Sequence, residues 1–105
     1  MKGLLDDGDL ARRLVAEAQN ARRGGKGVYA LLRSRGIDRE VAEEAMATSF
    51  DREKEVEDAA RHIAVRLEKA LPETRREVLE RAAGQLARRG FTPGSISRAM
   101  DRFRE

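Results

Sequence analysis

Residues 35–38 read Arg35-Gly36-Ile37-Asp38, and residues 89–92 read Arg89-Gly90-Phe91-Thr92. Each stretch ends one helix and starts another. Glycine tolerates the positive φ that closes a helix, the large apolar residue after it packs back on the last turn, and Asp or Thr suits the next N-cap. An apolar pair follows at the same distance in both places, Ala45-Met46 nine residues after Gly36 and Ala99-Met100 nine after Gly90. A doubled unit is the simplest reading, each copy being a long helix, a second helix, a glycine turn and a short helix.

Working outward, apolar residues recur at three- and four-residue steps through six segments. Leu10, Leu14, Val15 and Ala18 mark a first helix over about 8–21, with Asp6 or Asp7 as its cap. Gly24, Gly25 and Gly27 predict a turn or a loop of close approach. Val28, Leu31 and Leu32 mark a second helix, and Val41, Ala42, Ala45 and Met46 a third, capped by Asp38. Asp51 caps a long fourth helix whose stripe is Val56, Ala59, Ala60, Ile63, Leu67 and Leu71. Glu53, Glu55, Glu57 and Asp58 suit its dipole and read as a solvated helix start. After Pro72, Thr74 and Glu77 have capping-box spacing for a fifth helix with Val78, Leu79, Ala82, Ala83, Leu86 and Ala87 buried. Thr92 and Pro93 open a sixth, with Ile96, Ala99, Met100 and Phe103 inward. No alternating strand pattern interrupts them. The expected fold is all-α, two tandem three-helix repeats over 8–48 and 51–105, with 1–7 as the remnant or tail of an upstream repeat.

Composition excludes several functions. With no cysteine, disulfides, thiolate catalysis and cysteine-bound zinc are impossible. The single histidine, His62, lacks partners at metal-ligand spacing and reads as an ordinary, partly exposed side chain. The acidic run does not follow the order of a calcium loop. The glycines at 24, 25 and 27 precede a helix and could cradle phosphate, yet match neither nucleotide fingerprint. No Ser, Thr or Tyr has a base arranged beside it. The expectation is therefore a binding protein and not an enzyme, with no cofactor and no metal. The start of the chain has no apolar core for a signal peptide, and no apolar run could span a bilayer. Cytoplasmic location, no membrane association and a monomer are expected.

Charge is where a partner would be recognised. Residues 1–36 carry eight Lys or Arg against four Asp or Glu, residues 37–70 six against ten, and residues 71–105 eight against five. Basic ends thus flank an acidic middle. Eighteen of the 22 cations are arginine, whose planar fork matches carboxylate and phosphate oxygens. The candidate contacts are Arg12, Arg13, Arg22, Arg23, Lys26, Arg33 and Arg35 around the first loop, with Arg88 and Arg89 in the second unit. Nucleic-acid contact through them would be electrostatic, because only Tyr29, Phe50, Phe91 and Phe103 could stack, and Phe91 and Phe103 belong in the core.

Gly3-Leu4-Leu5-Asp6-Asp7, Gly25-Lys26-Gly27, Leu32-Arg33-Ser34-Arg35-Gly36-Ile37-Asp38 and Ala87-Arg88-Arg89-Gly90-Phe91 with Ile96, taken in that order and spacing, resemble the RecX family of recombination regulators. The resemblance implies tandem three-helix repeats, usually three, of which two are complete here. It also implies binding to the RecA filament on single-stranded DNA, with inhibition of its ATPase, extension and strand exchange. Two other functions remain open from the residues. One is direct binding of single- or double-stranded DNA by a helix-turn-helix-like face around Gly36 or Gly90. The other is a scaffold that touches no nucleic acid.

Overall fold

A computed structural model describes residues 7–104. They form six α-helices: α1 (Asp7–Asn20), α2 (Gly25–Ser34), α3 (Arg39–Ser49), α4 (Arg52–Glu68), α5 (Arg75–Arg88) and α6 (Pro93–Asp101), with a 3₁₀ turn at Pro72–Thr74. Among the described residues there is no strand. The expected remnant over 1–7 lies outside them except for Asp7, which begins α1.

The helices form two groups. In one, α1 packs chiefly on α3 and α2 leans on both; in the other, α4 packs on α6 and α5 leans on both. Each group has its own core. Ala11, Leu14, Val15, Ala18, Val28, Leu32, Ile37, Ala42 and Ala45 fill the first. Val56, Ala59, Ala60, Ile63, Leu79, Ala82, Leu86, Phe91, Ile96, Ala99 and Met100 fill the second. This grouping is compatible with the doubled unit. The molecule is 60 Å long and about 20 Å across.

Three helices end alike. After α2, Ile37 N–H donates to Leu32 O and Gly36 N–H to Arg33 O; after α5, Phe91 N–H donates to Leu86 O and Gly90 N–H to Ala87 O. Both glycines have positive φ, +84° and +89°. These are Schellman closures with glycine at C′. After α1, Arg23 N–H donates to Ala18 O and Arg22 N–H to Gln19 O. There the C′ residue is Arg22, at φ +65°.

Several local expectations are corrected. Gly25 and Gly27 lie in the first turn of α2, not in a loop before it. Thr74 does not cap α5; its hydroxyl donates to Leu71 O within the 3₁₀ turn. Thr92 occupies the N-cap of α6, but its side chain accepts from no helix N–H and its hydroxyl is turned toward Glu55. Leu10 and Leu71, placed on buried stripes, are 41% and 60% exposed. Leu71 falls beyond the end of α4, where Pro72 has already turned the chain.

Candidate functional site

The acidic start of α4 is not a wholly solvated face. Glu55 is fully buried and Asp58 nearly so, whereas Glu53 and Glu57 are exposed. Glu55 lies one turn before Ala59, on the inward side of the helix. Its Oε2 accepts from Gly25 N–H (2.7 Å) and Thr92 N–H (3.0 Å), and its Oε1 from the hydroxyls of Thr92 (2.9 Å) and Ser95 (2.6 Å). A carboxylate is thereby held at the positive ends of α2 and α6 together. The glycine-lined helix start, which could have cradled a phosphate, already holds the chain's own anion. For α6, Glu55 supplies from another helix only the acid half of a capping box, accepting the N-cap N–H, while Thr92 makes no reciprocal bond to the helix.

The backbones of the two groups also meet here. Lys26 N–H donates to Gly90 O at 2.8 Å. A Cβ on Gly24 would stand 2.3 Å from Phe91 Cα, and one on Gly90 2.5 Å from Gly27 N. Gln19 closes the far side, donating to Asp51 O (2.7 Å) and accepting from Asp51 N–H (2.9 Å). The start of α2 thus covers the Gly90 turn, whereas at the Gly36 turn nothing lies within 4 Å of an added Cβ.

On this junction lies a cleft of about 190 Å³ lined by Arg22, Asp58, Arg61, His62, Val65, Arg66, Leu86, Arg89 and Phe91. It gathers Arg22 and Arg89 from the expected set and adds Arg61 and Arg66, which sequence reading passed over. Arg22, Arg61 and Arg89 are exposed and, among the described residues, none forms an ion pair within 4 Å, although the Arg61 charge acts on Glu57 one turn away. Asp58 is tied to Lys54 Nζ at 3.4 Å. Gln85 Oε1 accepts from Arg66 Nε and from His62 Nε2, the latter at 2.8 Å.

The other expected contacts lie elsewhere. Arg12 is ion-paired with Asp9. Arg13 and Arg23 are exposed on and just after α1, Arg33 and Arg35 at the end of α2, and Arg88 on α5. Lys26 borders a separate groove with Tyr29, Met46, Phe50 and Arg52. On the outer face, Arg98 pairs with Glu53 and Arg102 with Glu57, joining α6 to α4. The Arg102 hydrogen bond holds the Glu57 carboxyl below its usual range. Among the described residues, no three of His, Asp and Glu gather as metal ligands, and no helix is long and apolar enough to cross a membrane.

Burial lowers the His62 pKa below 6.5, the Gln85 hydrogen bond acts the other way, and the nearby Arg66 and Arg89 charges lower it further. A proton added near that pH therefore prefers the unfolded chain. Stability should fall as pH drops through and below about 6.5. The Glu57–Arg102 pair weakens only in a lower window, below the ordinary carboxylate range near 4.5. His62→Gln should flatten the first slope and leave the second, measured as urea midpoints across pH. A ring titration with its midpoint above 6.5 would contradict this ordering.

No family model matches the sequence, and no solved structure matches it. A relative does: over 102 residues the chain is 34% identical to a protein named "Regulatory protein RecX" from Bacillus subtilis (strain 168). The alignment takes in 94% of this chain but only 38% of the relative. The chain is thus similar to a little over a third of a longer regulatory protein, and along nearly all of its own length.

Proposed function

We propose that this chain is a regulator that binds the RecA–single-stranded DNA filament and restrains its ATP hydrolysis, extension and strand exchange. The observation that carries the reading is the similarity to RecX across 94% of the chain. The surface supports it. Arg22, Arg61 and Arg89 present exposed guanidinium groups at one place, suited to an acidic partner surface or to phosphate. Of the other readings, direct DNA recognition keeps only the open Gly36 corner.

Adding the protein to RecA assembled on single-stranded DNA should lower the rate of ATP hydrolysis at roughly stoichiometric amounts. Unchanged hydrolysis together with no retention on filaments in a pull-down would defeat the proposal. Tight, strongly salt-dependent binding to DNA in the absence of RecA would replace it with the direct DNA reading.

A further inference from the structure

The junction cleft has a cationic rim and an apolar floor. Leu86 and Phe91 form the closed part of that floor, and Val65 stands at its mouth, 46% exposed. Three features bear on what fits there. First, the exposed guanidinium groups come from three different elements: Arg22 from the end of α1, Arg61 from α4, and Arg89 from the end of α5. They surround one spot, whereas a nucleic-acid strand is followed by cations along a track. Second, Phe91 is only 3% exposed, which leaves the half-buried His62 ring as the one aromatic face at the cleft for a base to stack on. Third, the one carboxylate in the lining, Asp58, is nearly buried and already tied to Lys54 Nζ at 3.4 Å, which leaves the exposed charge at the rim cationic.

Arg22 adds an independent sign. The matching C′ positions after α2 and α5 are glycine, and a non-glycine residue there costs roughly 1 kcal/mol. The chain nevertheless carries an arginine at φ +65°, with its side chain at the cleft. Backbone strain held at a surface cleft points to a contact the side chain makes.

We propose that this cleft seats an acidic segment of a protein partner, with one apolar side chain against the exposed Val65 and its carboxylates on Arg22, Arg61 and Arg89. Forked guanidinium–carboxylate contacts supply direction, and the contact with Val65 adds apolar burial beside them. The proposal rests on the RecA reading only for the partner's identity; its binding chemistry can be tested without RecA.

His62 is the single histidine in the chain and lines the cleft, so its ring signals report occupancy directly. The probe is a short capped peptide of glutamates around one leucine, titrated against the whole protein. The His62 ring and Val65 methyl signals should move saturably. Replacing the leucine by glycine, or the glutamates by glutamines, should weaken binding about tenfold. Arg22→Gly should weaken it about as much while the urea midpoint stays or rises, because glycine is at ease at that φ. Equal binding by Arg22→Gly would overturn the proposal. So would stronger displacement of the same signals by oligo-dT, or equal displacement by inorganic phosphate. If the peptide binds as stated but RecA hydrolysis is untouched, the function fails and the cleft stands. If hydrolysis is slowed equally by the native protein and by Arg22→Gly, the cleft proposal fails and the function stands.

Discussion

Glu55→Ala should be among the most destabilising single substitutions in the chain, costing about 3–5 kcal/mol. Four donors converge on this carboxylate, and two of them, the N–H groups of Gly25 and Thr92, are fixed by the backbone and cannot turn to another acceptor. The hydroxyls of Thr92 and Ser95 stand 3.1 Å apart and can turn to bond one another once the carboxylate is gone. The positive ends of α2 and α6 would then face each other without an anion between them. Glu55→Gln keeps the shape but offers one oxygen and turns an N–H₂ toward donors, so a smaller loss of about 1–3 kcal/mol is expected. The damage should also be uneven. Tyr29, the lone tyrosine in a chain without tryptophan, sits on the first core and reports on that group alone. In urea, the Glu55→Ala tyrosine signal should change before the total helix signal, whereas the native protein's two curves should coincide. A change of less than about 0.5 kcal/mol with coincident curves would show that Glu55 does not couple the two groups.

Why Glu55 escaped the sequence reading is instructive. Its position was legible, since it stands four residues before Ala59 and next to Val56, on the side that the apolar stripe buries. Its chemistry was not. Glu53, Glu55, Glu57 and Asp58 form one acidic run, and a run of carboxylates at a helix start has a sufficient local explanation in the dipole. What separates Glu55 from Glu57 is the arrival of two helix N-termini from segments 30 and 37 residues away. No local pattern encodes that. The glycine turns were the opposite case. Gly36-Ile37 and Gly90-Phe91 announced both their backbone and their neighbours, because a Schellman closure is a contact among adjacent residues. The basic cleft falls between. Arg22 and Arg89 stand out beside glycine signals, but Arg61 and Arg66 sit inside a long amphipathic helix, where arginine is unremarked. Only the fold, which brings the turn after α1 to the same cleft as α4 and the end of α5, makes them neighbours.

Gly90→Ala and Gly36→Ala should separate turn chemistry from junction chemistry. The two glycines have nearly the same φ, +89° and +84°, and close the same motif. Adding a methyl group imposes the same left-handed strain on both, about 1 kcal/mol. Their surroundings differ. Around Gly36 nothing lies within 4 Å of the new Cβ. At Gly90 the Cβ would stand 2.5 Å from Gly27 N and 2.9 Å from Gly27 Cα. These are backbone atoms in the first turn of α2, and no side-chain rotation relieves the overlap. The turn must retreat, which breaks the Lys26 N–H···O=C Gly90 bond and draws Gly25 away from Glu55. Gly36→Ala should therefore cost about 1 kcal/mol, and Gly90→Ala about 3–5 kcal/mol with the same early loss of the Tyr29 signal as Glu55→Ala. Combining Gly90→Ala with Glu55→Ala should cost clearly less than the two separate losses added, because each removes the same docking of α2. Equal costs at Gly36 and Gly90 would mean that the turns alone matter and that the two helical groups are merely adjacent. Strict additivity of Gly90→Ala and Glu55→Ala would mean that the carboxylate and the backbone contact hold different things.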